Sequence, residues 1–289
     1  MSRLPAGSWD THLHVFGPTK DYPSRSKAPL YAPPEDCDQA AMESVHGEIG
    51  IDHAILIQPT VYGSDHRLME SVLTSSPSGK YVGVAIIDDD VDDTELKRLH
   101  KAGVRGARFN FGSKFKMAPS PLSLQRNMKR VADLGWFVKV FGYGDDFLTV
   151  EEELLALACP AVIDHIGGFD PAKSTSAAGF QFLIELLKRK NWWGLLSNGD
   201  NRLEAGPPWE DAVSFGKLFY DTAPDRCIWG SDWPHIHRLT RPSEHTAHED
   251  IGANYQLPRL ALLKRYLPDE AAFRRVLVDN PAALIRSVG

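Results

Sequence analysis

Eight short apolar runs alternate along this chain with longer stretches of helical periodicity. The runs are rich in β-branched and aromatic residues and are too short for helices, so they are typical of buried strands. They are Trp9–Val15, His53–Gln58, Tyr81–Ile87, Gly106–Phe111, Trp136–Phe141, Ala161–Asp164, Trp192–Ser197 and Cys227–Ser231. The clearest amphipathic stretches between them are Leu122–Leu134, Val150–Ala158, Phe180–Lys190 and Trp209–Thr222. Eight strand–helix alternations predict an α/β protein with a single (β/α)8 TIM barrel, one domain over residues 1–289. A doubly wound sheet is the alternative, but no GxGxxG follows the first strand.

Composition excludes several classes of protein. A net charge of -6 argues against binding to nucleic acid or to an anionic membrane, because both require a basic surface. The N-terminal sequence lacks the apolar core of a signal peptide, and no apolar run approaches the length of a membrane span. Cys37, Cys159 and Cys227 are too far apart for a disulfide framework or a CxxC metal site. We therefore expect a cytoplasmic protein.

Three long connections follow the C-terminal ends of predicted strands. They are Phe16–Asp36, Gly112–Pro121 and His235–Leu257. Barrel enzymes build their active sites at this face, and long loops are usually functional. The last connection is polar and contains Gly and Pro, which is typical of a lid.

The first strand contains Asp10-Thr11-His12-Leu13-His14. Residues two apart on a strand point to the same side, so His12 and His14 converge at the barrel mouth. Two imidazoles there suit a divalent metal ion or a substrate carbonyl oxygen. The alternative is a pair of buried histidines with structural hydrogen bonds.

Two further strand ends carry groups of the same kind. His165 follows the sixth strand, and Asp232 follows the eighth within Trp229–His235. A carboxylate beside imidazoles is the usual arrangement for making a nucleophile from water. The structural alternatives are a capping role for His165 and a turn before Pro234 for Asp232.

These motifs resemble the amidohydrolase superfamily, in particular its amidohydrolase 2 group of metal-dependent TIM-barrel hydrolases. HLH on the first strand, DH on the sixth and GSDWPH on the eighth carry the resemblance. With RFNF at residues 108–111, the chain is similar to the lactonase branch that acts on 2-pyrone-4,6-dicarboxylate. The similarity extends from Asp10 to Pro281 and implies a (β/α)8 barrel that opens lactone rings by hydrolysis, in aromatic-acid or sugar-acid catabolism.

The resemblance also implies roles for individual residues. Asp232 would take a proton from the attacking water, His235 would relay that proton, and His12, His14 and His165 would polarise the lactone carbonyl. Arg108 and Arg202 would grip substrate carboxylates, and Tyr31 would contact the substrate. Lys114 and Tyr143 are further candidates for substrate binding, at positions where the chain differs from the branch. The chain departs from the branch at Gly112-Ser113-Lys114, where the branch has a Lys-Arg pair. Lys cannot reproduce the two-point grip of Arg on a carboxylate, so a muconolactone or a sugar-acid lactone stays open as substrate.

The basic residues also have structural interpretations. Arg108 lies in an apolar strand, where it must meet an internal carboxylate or face the mouth. Arg202 has Asp200 and Glu204 nearby as ion-pair partners, and Lys114 lies on a loop where solvation is the common state.

The residues available as metal ligands disfavour a two-metal site. The fourth strand carries Arg108 and Asn110 and the fifth carries Lys139, so neither supplies an obvious bridging ligand. A single Zn²⁺ held by His12, His14, His165 and Asp232 stays open, and it would lower the pKa of bound water to about 7. The resemblance to the lactonase branch favours catalysis without a cofactor.

Other functions stay open at this point. The same residues suit a lactone isomerase, in which a substrate hydroxyl replaces water, or a metal-dependent non-oxidative decarboxylase. A non-catalytic binding protein is a further alternative. The expected partner is a small anionic lactone, with no nucleic acid or membrane, and a homodimer is open.

Overall fold

The barrel is built from eight parallel strands that follow one another in sequence order around the sheet. A computed structural model of the chain describes residues 3–25, 31–112, 118–200, 206–236 and 251–289. The strands are β1 (Trp9–Leu13), β2 (His53–Ile57), β3 (Tyr81–Ile86), β4 (Val104–Asn110), β5 (Phe137–Phe141), β6 (Ala161–Ile163), β7 (Trp192–Leu195) and β8 (Cys227–Ile228). The order β1 to β8 without a crossover, with helices between the strands, confirms the predicted TIM barrel.

Helices connect the strands and cover the outside of the barrel. They are α1 (Gln39–Ile49), α2 (Arg67–Ser75), α3 (Asp93–Ala102), α4 (Pro121–Asp133), α5 (Glu151–Ala156), α6 (Ala178–Lys188), α7 (Glu210–Thr222), α8 (Ala253–Tyr266), α9 (Glu270–Arg274) and α10 (Asn280–Arg286). Shorter helical segments are Thr60–Tyr62, Gly144–Val150, His165–Gly168, Pro224–Arg226 and Arg275–Asp279. Among the described residues, no helix combines the length and the apolar composition needed to cross a bilayer.

Alternate strand residues fill the barrel interior. Phe137 on β5 faces inward, because it belongs to one buried cluster with residues of the other strands around the barrel. Gly106 on β4 faces the same side, because a Cβ there would lie 2.7 Å from the Phe137 ring. Alternation therefore also turns Arg108 inward on β4, and Lys139 inward on β5. Those two residues are register partners on the paired strands. The interior is thus apolar at one level and charged at the next level toward the mouth.

The barrel closes between β1 and the segment that follows β8. Thr11 N donates to Trp229 O at 3.0 Å, Asp232 N to His12 O at 2.8 Å, and His14 N to Trp233 O at 2.8 Å. This seam joins the two segments that carry the strongest sequence motifs. Barrel closure and site assembly therefore depend on the same backbone contacts.

Some predicted boundaries were wrong. The eighth strand was predicted to reach Ser231, but β8 ends at Ile228. The chain bends closely over β1 beyond this point, and a Cβ at Gly230 would lie 2.5 Å from the backbone nitrogen of His12. The predicted helix at residues 150–158 begins later and ends earlier, as α5, because the preceding turn is the 3-10 segment Gly144–Val150.

Candidate active site

Four side chains converge at the barrel mouth around one carboxylate oxygen. The Nε2 atoms of His12, His14 and His165 lie 3.5, 3.6 and 4.0 Å from Asp232 Oδ1. All four residues are buried. The structure therefore brings together the four residues that the strand-end motifs predicted.

The second ring nitrogen of each imidazole has its own neighbour. His14 Nδ1 lies 2.9 Å from the Ile57 carbonyl oxygen, which can only accept a hydrogen bond. His14 Nδ1 therefore carries a proton and donates it to this carbonyl oxygen, which directs Nε2 toward Asp232. His165 Nδ1 lies 2.7 Å from the Ser197 hydroxyl, and His12 Nδ1 lies 3.5 Å from Asp164 Oδ1. These contacts aim three Nε2 atoms at the same place.

Asp232 is held from both its side chain and its backbone. Asn198 Nδ2 donates to Asp232 Oδ2 at 2.7 Å, which leaves Oδ1 to face the imidazoles. Asn198, Asp232 and His165 all have positive φ, at 56°, 59° and 53°. Left-handed non-glycine residues are uncommon and cluster at functional sites, where the surrounding structure maintains them.

Asp10 links β1 to the loop that carries Asp232. Its carboxylate accepts from Ser231 N at 2.8 Å, from Ser231 Oγ at 2.5 Å and from His12 N at 3.2 Å. Ser231 Oγ in turn accepts from Trp233 N at 2.9 Å. Asp10 thereby fixes the residues on both sides of Asp232, together with the backbone of His12.

The charges of the site follow from burial and from these neighbours. Burial disfavours the charged form of Asp232, but His165, His14 and His12 together hold the pKa of its carboxyl well below the usual range. Burial lowers the pKa of His12 well below its ordinary value and that of His165 to about 4. At neutral pH the site therefore presents an ionised Asp232 carboxylate beside the neutral imidazoles of His12 and His165, as a general base or a metal site requires.

Sequence analysis missed a second carboxylate beside this group. Asp164 is fully buried, and its Oδ2 accepts from Arg108 Nε at 2.9 Å. Its Oδ1 lies 3.0 Å from Lys139 Nζ and 3.5 Å from His12 Nδ1. The sequence indicates such a contact only through charged residues that lie in or directly after apolar strands. The motifs predict no role for Asp164, and they give Lys139 only as an unsuitable bridging ligand for two metal ions.

Arg108 meets an internal carboxylate, as one interpretation of its position in an apolar strand predicted. Its Nε meets the internal carboxylate of Asp164, and the guanidinium lies 4.9 Å from the centre of the Phe141 ring. Within the described part of the chain, no group accepts a hydrogen bond from its two terminal nitrogens. Arg108 is thus held rigidly while its terminal nitrogens are available to an anion.

The remaining predicted residues differ in what the structure shows. The Tyr31 ring contacts Phe16 with centroids 6.2 Å apart, and burial raises the pKa of its hydroxyl. The Tyr143 ring packs edge-on against Phe141 at 5.2 Å. Tyr143 therefore lies beside a ring that also contacts Arg108 and His165. Arg202 and Lys114 lie outside the described residues, as do residues 237–250 of the predicted lid His235–Leu257, whose end is helical from Ala253.

His235 is buried beside the site, but its imidazole is directed toward α8. The Nε2 atom lies 2.9 Å from the Gln256 side-chain nitrogen, and the ring lies 4.5 Å from that of Tyr255. The described hydrogen bond between His235 and Asp232 runs through the backbone, from His235 N to Asp232 O at 2.7 Å. A relay role for His235 therefore stays a prediction.

Two overlapping donor groups could hold a metal ion. They are His12, His14 and Asp232, and His12, Asp164 and His165, each with ligand atoms within 4.8 Å of one another. Among the residues that the structure describes, neither ring nitrogen of His12 has a hydrogen-bond partner. Zinc bonds of about 2.0–2.1 Å in a tetrahedron place ligands about 3.4 Å apart. The 3.5 and 3.6 Å separations of His12 and His14 from Asp232 Oδ1 therefore fit one divalent ion held by these three residues, whereas His165 belongs to the second group.

Comparison with known proteins gives relatives over nearly the full chain. The amidohydrolase family model matches residues 9–286. A 4-sulfomuconolactone hydrolase of Hydrogenophaga intermedia is 30% identical over 291 residues, which cover 99% of this chain and 90% of the relative. A 2-pyrone-4,6-dicarboxylate hydrolase of Comamonas testosteroni is 30% identical, over 98% of this chain and 91% of the relative. A D-galactarolactone isomerase of Agrobacterium fabrum is 28% identical, over 98% and 92%.

Solved structures give the same result. The crystal structure of a probable 2-pyrone-4,6-dicarboxylic acid hydrolase from Acinetobacter baumannii, with citric acid bound, superposes with a TM-score of 0.80. It is 25% identical and covers 97% of this chain and 99% of its own. Motifs, barrel and relatives agree, and the chain belongs to the amidohydrolase family.

Proposed function

We propose that this protein hydrolyses a small acidic lactone by adding water to the ring carbonyl. The observation that carries the proposal is the ionised Asp232, which faces three imidazole nitrogens at 3.5–4.0 Å in the mouth of the barrel. The named relatives that act on lactones support this choice of substrate class.

Asp232 acts as the general base in this proposal. Asn198 occupies Oδ2, so Oδ1 is the oxygen that takes a proton from the attacking water. The low pKa of Asp232 keeps it ionised before the reaction, and His14, whose Nδ1 donates to the Ile57 carbonyl, turns Nε2 toward the same water as a second acceptor. Together the two acceptors orient the water oxygen toward the carbonyl carbon.

His165 is the imidazole best placed to polarise the carbonyl. If Ser197 donates its hydroxyl proton to Nδ1, at 2.7 Å, the proton of His165 resides on Nε2 and is directed into the mouth. That N–H can donate to the oxygen that becomes negative in the tetrahedral intermediate. Collapse breaks the ring C–O bond, and the proton held by Asp232 passes to the ring oxygen that leaves.

Arg108 binds the acidic group of the substrate in this account. Its two terminal nitrogens form a planar fork that matches a carboxylate, and Asp164 and Phe141 fix its position. Arg202, Lys114, Tyr31 and Tyr143 are proposed as further substrate contacts. Lys114 stands where the lactonase branch has part of a Lys-Arg pair, so the proposal extends to muconolactones and sugar-acid lactones.

The proposed reaction uses these residues without a cofactor, although His12, His14 and Asp232 fit one metal ion. A divalent ion held by these three residues would supply a bound water with a pKa of about 7. Elemental analysis of purified protein, before and after a chelator, tests this point. One tightly bound ion per chain, with activity lost on its removal, would contradict the cofactor-free proposal.

Lactone isomerisation is the second candidate, because one relative is named a D-galactarolactone isomerase. In that reaction a hydroxyl of the substrate would replace water at the same carbonyl. The residue roles above would be unchanged, so the two candidates differ in their product.

The experiment that separates them uses oxygen-18-labelled water. Purified protein is incubated with 2-pyrone-4,6-dicarboxylate, a muconolactone and a sugar-acid lactone, and the products are identified by mass spectrometry. An opened acid that carries one labelled oxygen supports hydrolysis. An unlabelled isomer of the substrate supports isomerisation, and no reaction with any of the three contradicts both candidates.

Cytoplasmic location is a further expectation that rests on the sequence, and a homodimer is one of the open oligomeric states. Cell fractionation and the mass of the purified protein in solution would test them.

A further inference from the structure

Lys139 is a buried cation that the proposed reaction does not use. Its side chain is 1% exposed in the barrel interior, and Nζ donates to Thr11 O at 3.3 Å. Its charged partner is Asp164 Oδ1, at 3.0 Å. Burying an ammonium group is unfavourable in free energy unless an anion pairs with it. The position of Lys139 beside the site therefore suggests a function for its charge.

Asp164 has two cationic partners rather than one. Arg108 Nε donates to Oδ2, and Lys139 Nζ pairs with Oδ1. One carboxylate balances one of these charges, so the region around Asp164 carries excess positive charge when the nearby imidazoles are neutral. Asp232, in contrast, has only histidines within ion-pair distance among the described residues.

Asp164 also belongs to one of the two potential metal groups. Asp164, His12 and His165 are all buried, and their donor atoms lie within 4.8 Å of one another. Imidazole nitrogen and carboxylate oxygen are ligands that Zn²⁺ and similar ions accept. The donor set is therefore suitable, but Lys139 Nζ lies 3.0 Å from its only anionic ligand.

We propose that Lys139 is a positioning residue whose ammonium group occupies the place of a second cation. It prevents the His12–Asp164–His165 group from binding a divalent metal ion. It also keeps Asp164 oriented toward His12 Nδ1, at 3.5 Å, while His12 Nε2 faces Asp232. The Lys139 ammonium group thus supplies the positive charge that the second ion would supply in a two-metal site.

The test replaces Lys139 by a neutral side chain and counts bound ions. Metal-stripped wild type and Lys139→Met are titrated with Co²⁺, whose visible absorption reports its coordination, and bound ions are counted after dialysis. We expect at most one ion per chain in the wild type and one additional ion in Lys139→Met. Arg108 still occupies Asp164 Oδ2 in that variant, but Oδ1 becomes available.

Three further variants control the result. Lys139→Arg keeps the positive charge and should bind the same number of ions as the wild type. Lys139→Met combined with Asp164→Asn should lose the additional ion, because its anionic ligand is gone. Lys139→Gln repeats the test with a polar neutral group if Lys139→Met does not fold, as judged by circular dichroism.

An unchanged ion count in the folded neutral variants would overturn the proposal. A wild-type chain that binds two ions would overturn it whether or not the variants fold. The count does not involve turnover, so its outcome is independent of the proposed lactone hydrolysis.

Discussion

Replacing Asp164 by Asn tests how far the stability of the fold depends on pairing the buried charges of the site. The substitution keeps the shape of the side chain but removes the one negative charge that Arg108 and Lys139 share, at 2.9 and 3.0 Å. Asp164 is fully buried, and both cations are nearly so. A matched control is Asp133→Asn, whose partner Lys129 is 75% exposed while Asp133 itself is 63% exposed.

The expected loss of stability follows from burial. Removing one partner of a buried ion pair costs about 3–5 kcal/mol, because the remaining charge is left uncompensated. For 289 residues the unfolding entropy is about 0.6 kcal/mol per kelvin, so Tm should fall by about 5–8 °C. The exposed control pair should cost less than about 1 kcal/mol, or under about 2 °C.

The loss should also depend on pH with a defined sign. Burial already lowers the pKa of Lys139, and Asp164 opposes that effect in the wild type. Without Asp164 the pKa falls further, so the unfolded chain binds the proton more readily than the folded chain. Stability of the variant then rises with pH toward the ordinary lysine value, and its deficit relative to wild type shrinks between pH 7 and pH 10.

Thermal unfolding followed by circular dichroism at pH 7 and at pH 9.5 measures both effects. A variant Tm within about 2 °C of wild type at pH 7 would refute the view that these charges depend on Asp164. A deficit that grows toward pH 9.5 would refute the assignment of the uncompensated charge to Lys139.

Three further predictions concern the site. Asp10→Asn should lower kcat by about 10- to 100-fold with little change in KM, because Asp10 holds the residues on both sides of Asp232 and the backbone of His12; unchanged steady-state kinetics would contradict this. Because burial lowers the pKa of His165 to about 4 from 6.5, the unfolded chain binds more protons between these values. Stability should therefore decrease by about 3 kcal/mol from pH 6.5 to pH 4, and equal urea midpoints at pH 7 and pH 4.5 would rule this out. Arg108→Lys should raise KM for a carboxylate-bearing lactone about tenfold or more, while KM for its methyl ester stays near the wild-type value; equal changes for acid and ester would exclude the proposed grip.

The fold and the centre of the site were predictable because they depend on local patterns. Strand–helix alternation specifies the barrel, and the two-residue spacing of His12 and His14 specifies that they share a side of β1. His165 and Asp232 come directly after apolar runs, which places both at the mouth. Each of these inferences requires only the position of a residue relative to the end of its own strand.

The contacts of Asp164 were not predictable in the same way. Barrel strands are buried on both faces, so the sequence FVKVF of β5 does not show whether Lys139 faces the interior or the helices. Only the pairing of Lys139 with Arg108 in the sheet register, and of β5 with β6, brings two cations to one carboxylate. Register between strands is a property of the whole barrel.

The same reason applies to the support of Asp232. Asn198 follows β7 and reaches Asp232 across a separation of 34 residues, through a backbone conformation with positive φ at both positions. The Asp10–Ser231 contacts span 221 residues. No local spacing indicates such partners, and the short β8 likewise reflects the approach of Gly230 to His12 rather than a local signal.

The central claim is that Asp232 is the base of a lactone hydrolase, and one measurement tests it directly. Wild type, Asp232→Asn and the surface variant Asp133→Asn are compared for kcat on whichever lactone the wild type opens. We expect Asp232→Asn to lose about 10²- to 10⁴-fold in kcat while it keeps the circular dichroism spectrum of the wild type, and Asp133→Asn to retain full activity. A folded Asp232→Asn variant that opens the ring at the wild-type rate would contradict the account.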